Sequence, residues 1–344
     1  MRVARLHAVG DLRIHDEPVA APEPGIALVK VTAVGICGSD LHWWDEGGIG
    51  DAVLSRPLVL GHEAAGVIAA GPRVGERVAI DPAIPDGTCA SCRRGYFNLC
   101  THMRFAGHGG QDGAMREYLT WPQALLHPLP DTISNGGGAV LEPLGVAIHA
   151  SDLGHLPLGG SAIVAGCGPI GLLLIQVLRA AGAAAVTAFE PLPHRRAAGL
   201  AYGADAALDP ADVDAATLAD LFGEGVDVAF EVAGTDGAVQ LAMDAVRPGG
   251  RVVLAGIPGD DGTRFRASTA RRKGLTIAMV RRMNEVYPRA IGLAVAGQVD
   301  LDSLISDRFA LSEAGLAFDV AARREGLKVL IEPGQDQPQG PPAR

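Results

Sequence analysis

The stretch that decides the fold is Ala162-Ile163-Val164-Ala165-Gly166-Cys167-Gly168-Pro169-Ile170-Gly171, and an apolar segment follows it. It reads as a buried strand, a G-x-G-x-x-G turn and a helix. Gly166 permits the tight turn, Gly168 lets N–H groups approach a pyrophosphate, and Gly171 lets the helix pack on the strand. The helix N-terminus would supply donors to the phosphates. We therefore predict a dinucleotide site that includes Gly166, Gly168, Pro169, Ile170 and Gly171; a purely structural glycine turn is the alternative.

An acidic residue supports the dinucleotide interpretation. The next apolar run ends at Phe189 and delivers Glu190, about 20 residues after the glycines, where this fold places its ribose-binding carboxylate. Glu190 would accept hydrogen bonds from a 2′-hydroxyl and repel a 2′-phosphate, which favours NAD. Arg195 is a further candidate cofactor-binding residue, and with Arg196 it could hold a 2′-phosphate, so NADP remains open.

The pattern of predicted strands and helices changes at residue 148. Residues 1–147 read as short strands with frequent Gly and Pro, which is an all-β pattern. Residues 148–279 alternate strands with helices, which predicts a doubly wound parallel sheet, the Rossmann domain of an α/β protein. The segment 280–344 is too short for a third domain and is predicted to complete the first. Its tail, 332–344, is rich in Pro, Gln and Gly and is predicted to be disordered.

Composition and charge exclude some classes of partner. The formal net charge is −10 and is spread along the chain, which argues against nucleic acid and anionic membranes. The longest apolar run, 162–178, contains glycines and a proline and predicts a strand, a turn and a buried helix rather than a membrane span. An odd number of cysteines, five, and an N-terminus without an apolar signal core predict a reducing, cytoplasmic location.

Other motifs in the sequence are long enough to be specific. They are Ile36-Cys37-Gly38-Ser39-Asp40-Leu41-His42-Trp43, Gly47-Gly48-Ile49-Gly50-Asp51 and Leu60-Gly61-His62-Glu63. They resemble the zinc-containing medium-chain dehydrogenases, and most closely the polyol branch of sorbitol and xylitol dehydrogenases and L-idonate 5-dehydrogenase. The segment 98–105 looks closest to the idonate type. The resemblance implies a GroES-like β-rich catalytic domain, formed by 1–147 and completed by 280–344.

The resemblance also implies a catalytic zinc site. Cys37, His62 and Glu63 would be the ligands, and Glu142 would be a fourth ligand or would hold the zinc-bound water. A thiolate and a carboxylate neutralise Zn²⁺, and three protein ligands with one open position are the catalytic pattern. Zinc lowers the pKa of bound water to about 7, and we expect a bound alcohol to respond similarly.

Further roles follow from the same resemblance. Ser39 would accept the proton of the alcohol, and His42 would pass the proton outward through the cofactor ribose. The alternative is that Ser39 caps a helix beginning near Asp40, and it could do both. Trp43, Phe105 and Arg282 would line the substrate pocket. Trp43 stands where the polyol branch often has tyrosine, and Arg282 could pair with a sugar-acid carboxylate or be a surface charge.

A second group of candidate ligands is Asp86, Cys89, Cys92 and Cys100. The resemblance implies a structural zinc in this lobe, where relatives often have four cysteines. Asp86 takes the first position, and a carboxylate oxygen can ligate zinc, although it is harder than sulfur. A metal-free loop with three reduced thiols is the alternative.

Together these features predict a zinc-dependent oxidoreductase. It would oxidise a secondary alcohol of a polyol or sugar acid to the ketone by hydride transfer to NAD(P). One alternative is a zinc-free, NADPH-dependent quinone or enone reductase of the same superfamily, which would lack the thiolate and His-Glu ligands. The other is a non-catalytic metal- or redox-sensing protein that binds NAD. The resemblance further implies a homo-oligomer, either a tetramer or a dimer.

Overall fold

The computed structural model describes residues 1–334. These residues divide into two compact units. Unit 1 comprises Met1–Glu142, Tyr287–Val295 and residues 300–334, and unit 2 comprises Pro143–Val286 and Ala296–Val299. The predicted disordered tail from residue 335 onward lies outside the described residues.

The strands, in chain order, are β1 (Arg2–Ala8), β2 (Asp11–Asp16), β3 (Ile26–Gly35), β4 (Gly48–Ile49), β5 (Ala52–Val53), β6 (Leu58–Val59), β7 (Glu63–Ala70), β8 (Arg77–Ile80), β9 (Ala83–Ile84), β10 (Arg104–Phe105), β11 (Tyr118–Pro122), β12 (Leu126–Pro128), β13 (Ser161–Ala165), β14 (Ala185–Phe189), β15 (Ala206–Leu208), β16 (Val226–Glu231), β17 (Val246–Leu254), β18 (Thr276–Met279), β19 (Ile305–Ala310) and β20 (Lys328–Glu332). The helices are α1 (Gly38–Glu46), α2 (Ala90–Arg93), α3 (Asn135–Gly154), α4 (Pro169–Ala180), α5 (Pro193–Ala201), α6 (Ala215–Phe222), α7 (Asp236–Ala245), α8 (Ala267–Lys273), α9 (Tyr287–Val295) and α10 (Ala314–Arg323).

Unit 1 is built around a sheet with the strand order β12-β8-β7-β3-β20-β19, and β11 also pairs with β3. Strand β3 alternates buried and less buried residues, as a half-buried strand does, and Ala27, Val29 and Val31 are fully buried. Its last residue, Gly35, pairs with Glu63 of β7 and with Leu330 of β20. This register brings three distant parts of the chain together at the end of β3.

The C-terminal strand corrects one boundary predicted from sequence. Glu332 was expected to begin a disordered tail, but it is the last residue of β20 and pairs with Ala310. The buried apolar residues Val329, Leu330 and Ile331 hold this strand in the sheet, and their burial outweighs the polar composition that follows. The prediction was therefore wrong at its first residue.

Unit 2 contains a six-stranded parallel sheet with the order β15-β14-β13-β16-β17-β18. This is the doubly wound arrangement, in which the strand order reverses beside the first strand. The predicted GroES-like plus Rossmann α/β fold class is confirmed. The apolar run 162–178 forms β13, the glycine turn and most of α4, and no helix within residues 1–334 is long and apolar enough to cross a membrane.

Two glycines of the turn between β13 and α4 are required by stereochemistry. Gly166 has a φ of 114°, which L side chains rarely adopt. At Gly171 a Cβ atom would collide with the carbonyl oxygen of Gly166. The close approach of α4 to the end of β13 therefore depends on both residues lacking a side chain.

Candidate active site

Cys37 follows β3 and occupies the N-cap of α1, so Ser39 lies inside the helix and does not cap it as expected. The buried side chain of Asp40 fixes this turn. One oxygen of Asp40 accepts a hydrogen bond from the Cys37 N–H at 3.0 Å, and the other accepts one from the Gly61 N–H at 3.2 Å. Burial raises the pKa of Asp40, but His62 and these N–H donors outweigh burial and hold it below its usual value. Asp40 therefore ties the Cys37 turn to the loop that carries His62.

The structure brings Cys37, His62 and Glu63 together. One ligand atom from each, the thiol sulfur, a ring nitrogen and a carboxylate oxygen, lies within 4.8 Å of the other two. His62 Nδ1 is 3.5 Å from Asp40 Oδ1, and His62 Nε2 is 3.4 Å from Ser39 Oγ. A carboxylate at Nδ1 orients the ring with Nε2 available as a ligand.

The donor set and its charge both fit a divalent cation. Thiolate, imidazole and carboxylate are the ligand types of catalytic zinc. Burial lowers the pKa of His62, but the charges of Asp40 and Cys37 more than offset burial, so the pKa lies well above its usual value. The negative charges around His62 therefore stabilise positive charge at this position.

Lys328 is a second buried charge at this cluster, and sequence reasoning missed it. Its side chain is 2% exposed, its ammonium forms an ion pair with Glu63 Oε2, and it donates to the Ile36 carbonyl at 2.9 Å. Burial lowers the pKa of Lys328, and the charges of Glu63 and Cys37 raise it above its usual value. The signal in the sequence was a single lysine at the start of an apolar strand.

Glu142 and Tyr287 lie near the cluster in unit 1. Glu142 is 4% exposed, and burial raises its pKa to about 7, with opposing effects from His62 and Glu63. It lies outside the set of described residues whose ligand atoms are mutually within 4.8 Å. The Tyr287 hydroxyl donates to the Ile80 carbonyl at 2.9 Å, and burial raises its pKa well above its usual value.

The predicted substrate residues occupy different settings. Phe105 is buried, with its ring centroid 5.3 Å from that of His62. Trp43 is 2% exposed in the core of unit 1 and meets His108 edge-on at 5.6 Å. Arg282 belongs to unit 2, is half-buried and has a φ of 56°.

Asp86, Cys89, Cys92 and Cys100 form the second cluster, and their ligand atoms also lie within 4.8 Å of one another. The sulfur atoms of Cys89 and Cys100 are 3.9 Å apart, and two thiolates on one tetrahedral zinc are separated by about 3.8 Å. All five cysteines are free thiols. The second cluster therefore has the dimensions of a tetrahedral site.

Asp86 is held by a residue that sequence reasoning did not single out. Its Oδ2 lies 2.6 Å from His102 Nδ1, and its Oδ1 accepts the N–H groups of Thr88 and Cys89 at 2.8 and 2.9 Å. The spacing of Asp86 from the cysteines gave no indication of His102, although His102 lies only two residues after Cys100 in the sequence.

In unit 2, Glu190 lies beside the glycine turn. It follows β14, is 5% exposed, and accepts the Cys167 N–H at 2.7 Å and the Leu192 N–H at 3.1 Å. Arg196 is held by the carbonyls of residues 190 and 191 and by Asp209. A Cβ at Gly168 would be 3.8 Å from Arg195 Nη1, so Arg195 adjoins the turn.

One unit is GroES-like and brings thiolate, imidazole and carboxylate side chains together, and the other is a Rossmann unit. This combination defines the class of zinc-type dehydrogenases. The alcohol dehydrogenase GroES-like domain matches residues 23–131, and the zinc-binding dehydrogenase family matches residues 169–296. The chain belongs to the zinc-binding dehydrogenase family, as the resemblance predicted.

Individual relatives agree with that assignment. The chain is 36% identical to a probable D-xylulose reductase A of Neosartorya fischeri over 96% of each protein. It is 33% identical to the sorbitol dehydrogenase of Bacillus subtilis, over 97% of this chain and 98% of the relative. The structure of L-idonate 5-dehydrogenase from Escherichia coli superposes with a TM-score of 0.90 at 27% identity, over 96% of this chain and 97% of that one. The protein is an NAD(P)-dependent oxidoreductase, and these relatives support polyol dehydrogenase activity.

The buried ion pair generates a prediction about stability. In protein stripped of metal by a chelator, Lys328→Met should lower the free energy of unfolding by about 3–5 kcal/mol, because the Glu63 carboxylate would be buried without its cation. Lys328→Arg retains the charge and should lose less. Urea unfolding measures both changes.

Lys30→Met is the control, since Lys30 is an exposed lysine on the neighbouring strand β3 and should change stability by less than about 0.5 kcal/mol. Equal effects of the two methionine variants would contradict the role assigned to Lys328.

Proposed function

We propose that this protein is a zinc-dependent polyol dehydrogenase that oxidises a secondary alcohol to the ketone and reduces NAD⁺. The observation that carries the proposal is the mutual approach of Cys37, His62 and Glu63 within 4.8 Å. The zinc-free reductase alternative offers no reason for these three ligand types to converge. A sugar acid remains a candidate substrate beside neutral polyols, since Arg282 could pair with a carboxylate.

The side chains around the site would have different roles in the reaction. Zinc bound at Cys37, His62 and Glu63 would supply Lewis acidity to the alcohol oxygen. Ser39, whose hydroxyl lies 3.4 Å from His62 Nε2, would accept the alcohol proton at its oxygen as its own proton moves on to His42. Phe105 would exclude water on one side of His62.

Residues further from the reacting atoms would fix this arrangement. Asp40 would hold the His62 ring in its orientation, and Lys328 would hold the Glu63 carboxylate in place by pairing with it. Glu142, with a pKa raised to about 7, would act as a fourth ligand or hold a water or a substrate hydroxyl by a hydrogen bond. The functional division would be 1–147 with 280–344 for zinc and substrate, and 148–279 for the dinucleotide.

Location and assembly are part of the proposal. Five free thiols are suited to the reducing cytoplasm. We propose a homo-oligomer, dimer or tetramer, in which copies meet along β18. This strand is the edge of the parallel sheet, and it exposes Ile277 and Met279. An exposed apolar edge strand is a ready template for pairing with another chain.

Steady-state kinetics tests the activity. Purified protein should reduce NAD⁺ with at least one of sorbitol, xylitol or L-idonate, seen as NADH absorbance. Chelation should abolish turnover and zinc should restore it. His62→Ala should lower kcat/KM by more than about 100-fold, because losing Lewis-acid stabilisation of several kcal/mol costs about tenfold per 1.4 kcal/mol.

His155→Ala is the matched control, since His155 is exposed, and this variant should keep wild-type kinetics. Reduction of quinones or enones by chelated protein with NADPH would support the zinc-free reductase instead. Binding of NAD without turnover of any substrate would support the sensor.

Coenzyme choice depends on the charge of Glu190. Glu190→Gln keeps an oxygen that can accept the Cys167 N–H while removing the charge that would repel a 2′-phosphate. The ratio of kcat/KM for NADP to that for NAD should rise about tenfold, equivalent to roughly 1.4 kcal/mol. Arg195→Met in the Glu190→Gln background should reverse the gain for NADP. An unchanged ratio in Glu190→Gln would contradict the assignment of Glu190.

The second cluster is proposed to hold a structural zinc. Metal analysis should find two zinc ions per wild-type chain and one in Cys92→Ser, because removal of a buried thiolate leaves an incomplete tetrahedron. Asp86→Cys should retain two. A single zinc ion in both the wild-type and the Asp86→Cys protein would show that this loop is metal-free.

A further inference from the structure

Helix α1 carries a row of three side chains that can donate or accept a proton. Ser39, His42 and Glu46 are separated by three and then four residues, and this spacing places them on one face of a helix. His42 Nδ1 lies 3.0 Å from Glu46 Oε1. The His42 side chain is 18% exposed and that of Glu46 is 48% exposed, so the row ends at solvent.

A contribution to helix stability does not explain why a glutamate stands at position 46. It is the last residue of α1, which has no basic residue in its last turn, and the helix dipole disfavours a carboxylate there. An acid placed four residues after a basic partner is also the weaker of the two orientations. An exposed pair of this kind contributes only about 0.3–0.5 kcal/mol, so a functional contribution to His42 is the better explanation.

We propose that Glu46 is a positioning residue that fixes the protonation pattern of His42. A neutral imidazole carries its proton on either nitrogen, and only the form protonated at Nδ1 has an acceptor at Nε2. Glu46 accepts the Nδ1–H, and His42 Nε2 is thereby kept free to receive a proton from the Ser39 hydroxyl. The resulting imidazolium lies against the Glu46 carboxylate, and its extra proton passes to bulk water.

This inference rests on the proposed dehydrogenase function, in which His42 carries a proton. It also makes a claim about the His42 ring that holds whether or not the enzyme turns over a given alcohol. The two claims are tested by two measurements on the same set of full-length, zinc-loaded proteins. Glu46→Leu removes the acceptor, Glu46→Gln keeps an acceptor without charge, and Asp45→Asn removes a charge from the neighbouring exposed residue of α1.

The first measurement is NMR of protein labelled with ¹⁵N in histidine. The His42 signals are assigned by their loss in His42→Gln, and spectra are recorded at a pH at which the ring is neutral. The wild-type, Glu46→Gln and Asp45→Asn proteins should show the Nδ1–H form. Glu46→Leu should shift His42 towards the Nε2–H form. A wild-type ring protonated at Nε2, or no change in Glu46→Leu, would overturn the proposal.

The second measurement is alcohol oxidation with NAD⁺. Glu46→Leu should lower kcat about tenfold, a part of the 10²–10⁴-fold effect of a complete general base, with unchanged KM and a larger solvent deuterium isotope effect. Glu46→Gln should recover most of the rate, and Asp45→Asn should match the wild type. If the wild type is active but the Glu46→Leu and Asp45→Asn variants have the same kcat, the inference is overturned. If the wild type is inactive on every alcohol tested, the proposed function is overturned instead.

Discussion

Lys328, Glu63 and Asp40 are buried in one region of unit 1, and the free energy of removing their charges from water constrains the structure around them. Charges taken out of water must be paired and hydrogen-bonded, or they destabilise the fold by several kcal/mol. Lys328 meets Glu63 and the Ile36 carbonyl, and Asp40 meets His62 and two N–H groups. The chemistry attributed to the site depends on this compensation, because it holds a thiol, an imidazole and a carboxylate in one place.

In unit 2, backbone N–H groups compensate a buried carboxylate. Glu190 is buried, and it accepts N–H donors from the glycine turn and from the start of the next loop. The same carboxylate therefore shapes the turn and, in the proposed function, would also bind a ribose. On that proposal, substitution by a residue without an acceptor would disturb both the turn and the coenzyme preference.

The parts of the molecule that could be predicted from sequence are those encoded by local patterns. The strand, glycine turn and helix of residues 162–178 depend on neighbours in the chain, and so do the motif of Cys37, Ser39 and His42 and the pair His62-Glu63. The resemblance of these motifs to a known family then implied which residues converge. The sequence patterns did not identify Lys328, His102 or Glu46. Each of them is paired with another side chain in the fold, and a single charged residue on a strand, in a loop or at a helix end belongs to no motif.

The sequence alone determined the α/β fold class and the two kinds of unit, because periodicity and glycine stereochemistry are local properties. Its motifs implied the candidate ligands through their resemblance to a known family. Only the tertiary structure decided which charges compensate one another. The register of β3 against β7 and β20 sets Gly35 opposite Glu63 and Leu330, and thereby brings Lys328 to a carboxylate that is more than 260 residues away in the chain. Contacts of that kind follow from strand pairing and burial across the whole unit, and no window of the sequence contains both partners.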